Sequence, residues 1–152
     1  MPRYALAAAA AVLAAATALP ALAQFQRPDD AIKYRQGAFF VMGQHFGRIG
    51  AMVNNRAPFD AQAAQQNAEI VQAMSRLPFA GFVEGTDRGG NTTALPRIWT
   101  ERARFDAAAG QMQEEATRLA AAARTGNLAQ LRTAFGAAAQ SCKACHDNFR
   151  RD

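Results

Sequence analysis

Leu128-Ala129-Gln130-Leu131-Arg132-Thr133-Ala134-Phe135-Gly136-Ala137-Ala138-Ala139-Gln140-Ser141-Cys142-Lys143-Ala144-Cys145-His146-Asp147-Asn148-Phe149 reads as one amphipathic helix. Leu128, Leu131, Phe135, Ala138, Cys142, Cys145 and Phe149 recur at alternating steps of three and four, the spacing of a seam buried in a helical bundle. Both cysteines of the chain lie in that seam, and a histidine follows the second of them.

Cys142-Lys143-Ala144-Cys145-His146 has the C-x-x-C-H spacing of a c-type haem attachment site. Residues three and four apart on a helix share a face, so the two sulfurs stand side by side and His146 projects one turn beyond Cys142. The thiols would bond the two haem vinyl groups, and the imidazole would be the proximal iron ligand. Three other readings compete. A thioredoxin-type pair belongs near a βαβ pattern, and no strand pattern is visible here. A zinc site needs four ligands, and the only other histidine is His45. A disulfide across two residues gains little from loop closure and leaves His146 unexplained.

Residues 1–23 read as a cleaved signal peptide: Arg3 is the positive n-region, Ala5 to Leu19 the apolar run, and Ala21-Leu22-Ala23 the small-residue cleavage site. The run is short of the roughly 20 residues that span a bilayer, and no charged stop-transfer flank follows. Export to a periplasm is the expectation, with one mature domain over residues 24–152 and no membrane span after cleavage. The net charge of +5 falls to +4 without Arg3, and the arginines are scattered, so no nucleic-acid footprint is present.

Four helices are expected, giving an all-α, antiparallel four-helix bundle with covalently bound haem in its core. The first runs from about Asp29 to Asn54, behind Pro28 and with Asp29 and Asp30 in its first turn. Its seam is Ile32, Arg35, Phe39, Met42, Phe46, Ile49 and Val53. The second runs from an Asp60 N-cap to about Leu77, with Ala64, Val71 or Ile70, Met74 and Leu77 inward. The third runs from Pro96 or Thr100 to Arg124, with Trp99, Phe105, Met112, Ala116, Leu119 and Ala123 as core. Gly126 fits an αL cap, and Asn127 with Gln130 a capping box that starts the fourth. Between Pro78 and Pro96 lies a long loop rich in Gly, Thr and Asp, expected to cross the bundle and cover a haem edge.

Several residues break the local pattern. Arg35 occupies an apolar seam position. It reads either as a snorkelling arginine at a bundle end or as the partner of a haem propionate, with Gln36 beside it. Gly43, Gly47 and Gly50 fall on one side of the first helix and suggest close backbone approach, within the bundle or across a dimer interface. Met42, Met52, Met74, Met112 and His45 are candidates for the sixth iron position. If Phe39, one turn before Met42, faces the iron instead, the distal side is apolar.

Three stretches resemble cytochrome c prime, the class II c-type cytochromes: Gln24-Phe25-x-x-Pro28-x-Asp30-Ala31-x-Lys33-Tyr34-Arg35-Gln36, Pro96-x-Ile98-Trp99, and Ser141 to Asp147. The resemblance spans Gln24 to Asp152. It implies a periplasmic protein that carries one haem c and pairs as a homodimer through its first helices; with no acid–base pair identifiable near the haem motif, an enzyme is not expected. The iron would be five-coordinate and high-spin, binding small gases (NO, CO), transferring single electrons, or both. A low-spin His/Met electron-transfer cytochrome is the alternative, and the redox partner is unspecified. By resemblance Cys142 and Cys145 bind haem and His146 is the proximal ligand. Arg35 and Gln36 contact a propionate, Arg150 stands beside the proximal face, and Thr93 contacts haem from the loop. Phe39 stands where many members carry a leucine that blocks the distal face, with Met42 next to it.

Overall fold

The computed structural model describes residues 24–151; the expected signal peptide lies outside them. Helix α1 spans Pro28–Val53 and α2 Ala61–Met74. A 3-10 turn follows at Leu77–Gly81, then a short α3 (Arg97–Thr100), α4 (Arg102–Arg124) and α5 (Leu128–Phe149). The four long helices pack in sequence, α1 on α2, α2 on α4 and α4 on α5. The ring is thinnest where α1 meets α5, and that gap becomes the site.

The helix ends follow the local chemistry. Asp60 caps α2 by accepting the Ala63 amide at 2.9 Å. Gly126 takes a φ of 64° after α4, and Asn127 caps α5 by accepting the amides of Ala129 and Gln130. The capping box is only half made, because the Asn127 amide turns to the Thr125 hydroxyl rather than to Gln130. The expected third helix is broken at Glu101, whose φ of −117° and ψ of 41° separate α3 from α4. In α2 the inward side is Ala64, Ala68 and Val71; Leu77 leaves the helix for the 3-10 turn and is exposed, as is Ile70.

Of the three glycines, only Gly50 is approached closely. A Cβ there would lie 2.9 Å from Phe135 Cζ, and Phe135 is stacked on Phe46 with ring centroids 4.3 Å apart. A Cβ on Gly43 or Gly47 would meet nothing within 4 Å in this chain, so close approach within the bundle occurs at Gly50 alone of the three and involves a ring rather than a backbone. Gly50→Ala should therefore destabilise the chain by about 1–3 kcal/mol through overpacking. Gly47→Ala should stabilise it by about 0.5–1 kcal/mol through helix propensity. Urea unfolding of the two variants side by side measures the difference in sign.

Candidate functional site

A cavity of about 880 Å³ opens between α1 and α5 and is roofed by the 82–95 segment. Its volume is that of a pocket for a large organic ligand. One wall carries Cys142, Cys145 and His146 from α5; the facing wall carries Phe39, Met42 and Phe46 from α1. The mouth passes the exposed residues Gln36, Asn91, Thr93 and Lys143.

The lining is held by two apolar clusters. The larger runs through the bundle from Met42 and Ile49 to Leu119, Leu131 and Ala138, and Cys142 packs against it. The smaller joins Phe82, Ala94, Ile98, Phe105 and Phe149, with Cys145 against it. Phe39 touches both, and its ring is set edge-on to Phe79 at 5.9 Å and to Phe82 at 6.3 Å. This position is fixed by aromatic packing from two sides, which makes Phe39 a stiff wall rather than a swinging side chain.

Burial pushes the Cys142 thiol above its ordinary value and the Cys145 thiol up to about 11, the latter with a further contribution from Cys142. Both sulfurs are free thiols on one face of α5, with no disulfide between them. Desolvation, and then the Arg150 guanidinium, push the His146 imidazole below its ordinary value, while Asp147 opposes them. A neutral imidazole is the form that can ligate a metal. Among the described residues no three His, Cys, Asp or Glu side chains gather as a metal cluster.

The candidates for a sixth iron ligand are reduced to two. His45 does not line the cavity: its Nδ1 bonds Asn67 Oδ1 at 2.8 Å, and Asn67 Nδ2 donates to the Ala63 carbonyl, so His45 is tied to α2. Met52 and Met74 also lie off the cavity, which leaves Met42 and Met112 on its lining.

Arg35 overturns the snorkelling reading, because its head is buried with its stem and the residue is 2 % exposed. Nη1 donates to the Gly81 carbonyl at 2.9 Å and the Thr86 hydroxyl at 2.8 Å. Nη2 donates to the Thr86 carbonyl at 2.7 Å and the Thr92 hydroxyl at 2.8 Å. The guanidinium lies over the Phe82 ring at 4.4 Å, and burial lowers its pKa to about 10. Nε–H is left as the donor not used by the loop. Gln36 reaches the Asn91 carbonyl at 3.3 Å from the mouth.

The remaining candidates are also brought to the cavity. Thr93 lines it and is exposed, and its carbonyl accepts the Arg151 amide at 2.8 Å. Arg150 follows α5 in extended conformation and lines the cavity beside His146. Sequence reasoning missed Phe79 and Phe82 of the lining, together with the buried Thr86. The Pro78-Phe79-x-x-Phe82 spacing, after a helix ending, was the available signal for the first two.

A four-helix bundle with a paired-thiol helix on one side of an apolar cavity, and an imidazole beside the thiols, defines a c-type haem protein of the helical-bundle class. The profile of the Cytochrome C' family matches residues 30–150. Cytochrome c' from Rubrivivax gelatinosus is 46% identical over 127 residues, covering 84% of this chain and 98% of that one. The structure of cytochrome c prime from Shewanella frigidimarina superposes with a TM-score of 0.82 at 40% identity, covering 85% of this chain and 100% of that one. A nitric oxide complex of a cytochrome c prime variant from Alcaligenes xylosoxidans matches with a TM-score of 0.79 at 43% identity, covering 85% and 99%. The chain belongs to the cytochrome c' family. Its cofactor is the covalent haem c of that family, and Cys142 and Cys145, the two cysteines of the sequence, are the thiols that hold it.

Proposed function

We propose that this is a periplasmic cytochrome whose haem iron is five-coordinate and high-spin, that binds nitric oxide and carbon monoxide, and that it is a gas-binding protein rather than an enzyme. The observation that carries the reading is the α1 wall: Phe39, Met42 and Phe46 face the thiol helix, and the one histidine of α1 is bonded to Asn67 instead. When bound, the haem would supply a redox-active iron able to take up a diatomic gas. His146 would hold the iron from α5. Cys142 and Cys145 would fix the macrocycle, while Arg35 Nε–H and the Gln36 amide would meet a propionate. Thr93 would contact the group at the cavity mouth, and Arg150 would place a positive charge beside the proximal imidazole. Phe39 would exclude water and polar donors from the distal face, which favours NO and CO over ligands that need a hydrogen bond. The nitric oxide complex of the Alcaligenes cytochrome c prime variant supports this choice of ligand.

Removing that wall tests it. Phe39→Ala should raise CO affinity of the ferrous protein about tenfold or more, corresponding to at least roughly 1.4 kcal/mol. Titration of the absorption spectrum with CO measures the change, and an unaltered affinity would remove Phe39 from the distal role. A second reading, a low-spin electron carrier, draws support from the buried Met42 on the same wall; thioether ligation would raise the potential.

The N-terminal pattern of residues 1–23 supports export, and no helix among the described residues is long and apolar enough to cross a membrane. A homodimer through α1 fits its unpartnered face, where Val41 is 39% exposed beside the open Gly37 and Gly47, and where Phe40, which also borders the cavity, is 67% exposed. Sedimentation velocity should show a dimer that Phe40→Glu converts to monomer.

A further inference from the structure

Thr92 is a loop residue 57 positions from Arg35 in sequence, is 8 % exposed, and has its amide, its carbonyl and its hydroxyl oxygen engaged. Its amide donates to the Gly89 carbonyl at 3.0 Å. Its hydroxyl accepts from Arg35 Nη2 at 2.8 Å and from the Ala94 amide at 3.2 Å. Its carbonyl accepts from Arg151 Nη2 at 3.0 Å. Two arginines from opposite ends of the chain therefore grip one residue, one by its side chain and the other by its backbone.

The second grip matters because of what lies next to it. Helix α5 ends at Phe149, and Arg150 turns to extended backbone with φ of −126° and ψ of 142°. Ala94 and Arg150 then form an antiparallel bridge, closed by Leu95 N–H to the Phe149 carbonyl at 2.9 Å and Arg151 N–H to the Thr93 carbonyl at 2.8 Å. Backbone that leaves the helix at Arg150 needs partners outside the helical ladder to hold it. Here the partner is the loop, and the loop is itself anchored to α1 by Arg35. Because the Arg150 amide also donates to the His146 carbonyl at 3.0 Å, the clamp ends on the histidine's own turn.

We infer that Thr92 is the keystone of a clamp, Arg35–Thr92–Arg151, that holds the C-terminal strand and sets the position of Arg150 and His146 on the proximal side of the cavity. The three are positioning residues, and α1 acts on the proximal face through them although it forms the distal wall. The proposal rests on the reading of His146 as the iron ligand.

The test uses the haem-loaded protein and three variants. Thr92→Val removes the hydroxyl at nearly constant shape, Thr92→Ser keeps it, and Arg151→Gln removes the other grip at the surface. Hydrogen exchange at the Leu95 and Arg151 amides reads the bridge. The resonance Raman band of the iron–histidine bond in the ferrous protein reads the proximal face. In Thr92→Val both amides should exchange about tenfold faster or more, and the band should shift or broaden; Thr92→Ser should match the unaltered protein in both. Arg151→Gln should change both readouts in the same direction, and it carries the test if Thr92→Val fails to fold, because Arg151 is exposed and outside both apolar clusters. Unchanged exchange, equal loosening by Thr92→Ser, or a band that stays fixed while exchange rises would each overturn the inference. An iron–histidine band missing from the unaltered protein would instead count against His146 as ligand, and exchange alone would then decide whether the clamp exists.

Discussion

A chain carrying both Cys142→Ala and Cys145→Ala, expressed alongside the machinery that loads the unaltered protein, is expected to retain no haem after extraction with acidified organic solvent. The reason is geometric: the sequence has two cysteines, both on the α5 wall of the cavity, so no third thiol can substitute. Either single variant should keep covalent haem through one thioether, and the double variant none. Haem-stained gels and the pyridine haemochrome spectrum measure this directly. Loss of the group also leaves a cavity of about 880 Å³ between two helices that already touch least. A loss of about 5 kcal/mol would lower the melting temperature by roughly 15–25 °C in a domain of this size. Holoprotein-like melting in the double variant would mean that the cavity walls do not depend on the group.

The second large effect is expected at Arg35. Two opposing effects decide its sign. Within the polypeptide the guanidinium is buried with neutral partners only, so removing it relieves the cost of a desolvated charge, less what the propionate proposed at Nε offsets in the holoprotein. Removing it also strands the Thr86 carbonyl and weakens the bonding of the Gly81 carbonyl, both in buried residues, at about 1–3 kcal/mol for each acceptor left unpaired. Thr86 Oγ1 lies 3.4 Å from the Gly81 carbonyl and offsets little of this. The stranded acceptors win, because the charge is already stabilised by four hydrogen bonds and the face of Phe82. Arg35→Ala should therefore destabilise the protein by about 3 kcal/mol. Arg35→Lys should recover less than half of that, since a single ammonium cannot span acceptors set for a planar fork. Urea unfolding of the holoprotein measures both, and a neutral Arg35→Ala would show that relief of the desolvated charge outweighs the stranded carbonyls.

The four long helices were legible because each is marked by local chemistry. Asp60, Gly126 and Asn127 act on backbone groups two or three residues away, and the α5 seam repeats within a turn. The site motif was legible for the same reason, since Cys142, Cys145 and His146 lie within five residues. The 78–96 segment was not, because its conformation depends on partners remote in sequence: Arg35 from α1, and Arg150 and Arg151 from the chain end. Periodicity carries no information about such contacts. Arg35 did announce itself as a charge in an apolar seam, but the pattern could not say that its partners would be loop carbonyls and hydroxyls. The glycines of α1 show the converse, where one local pattern covered two causes: Gly50 makes room for Phe135, whereas Gly43 and Gly47 touch nothing within this chain.

On the proposed reading Phe39 leaves the iron with a single protein ligand, although Met42 lies one turn away. The most direct measurement is the ferric and ferrous absorption spectrum of the holoprotein, recorded beside that of Met42→Leu. The account predicts high-spin spectra without a methionine-to-iron charge-transfer band, the same in both proteins. A low-spin spectrum that carries this band and loses it in Met42→Leu would contradict it.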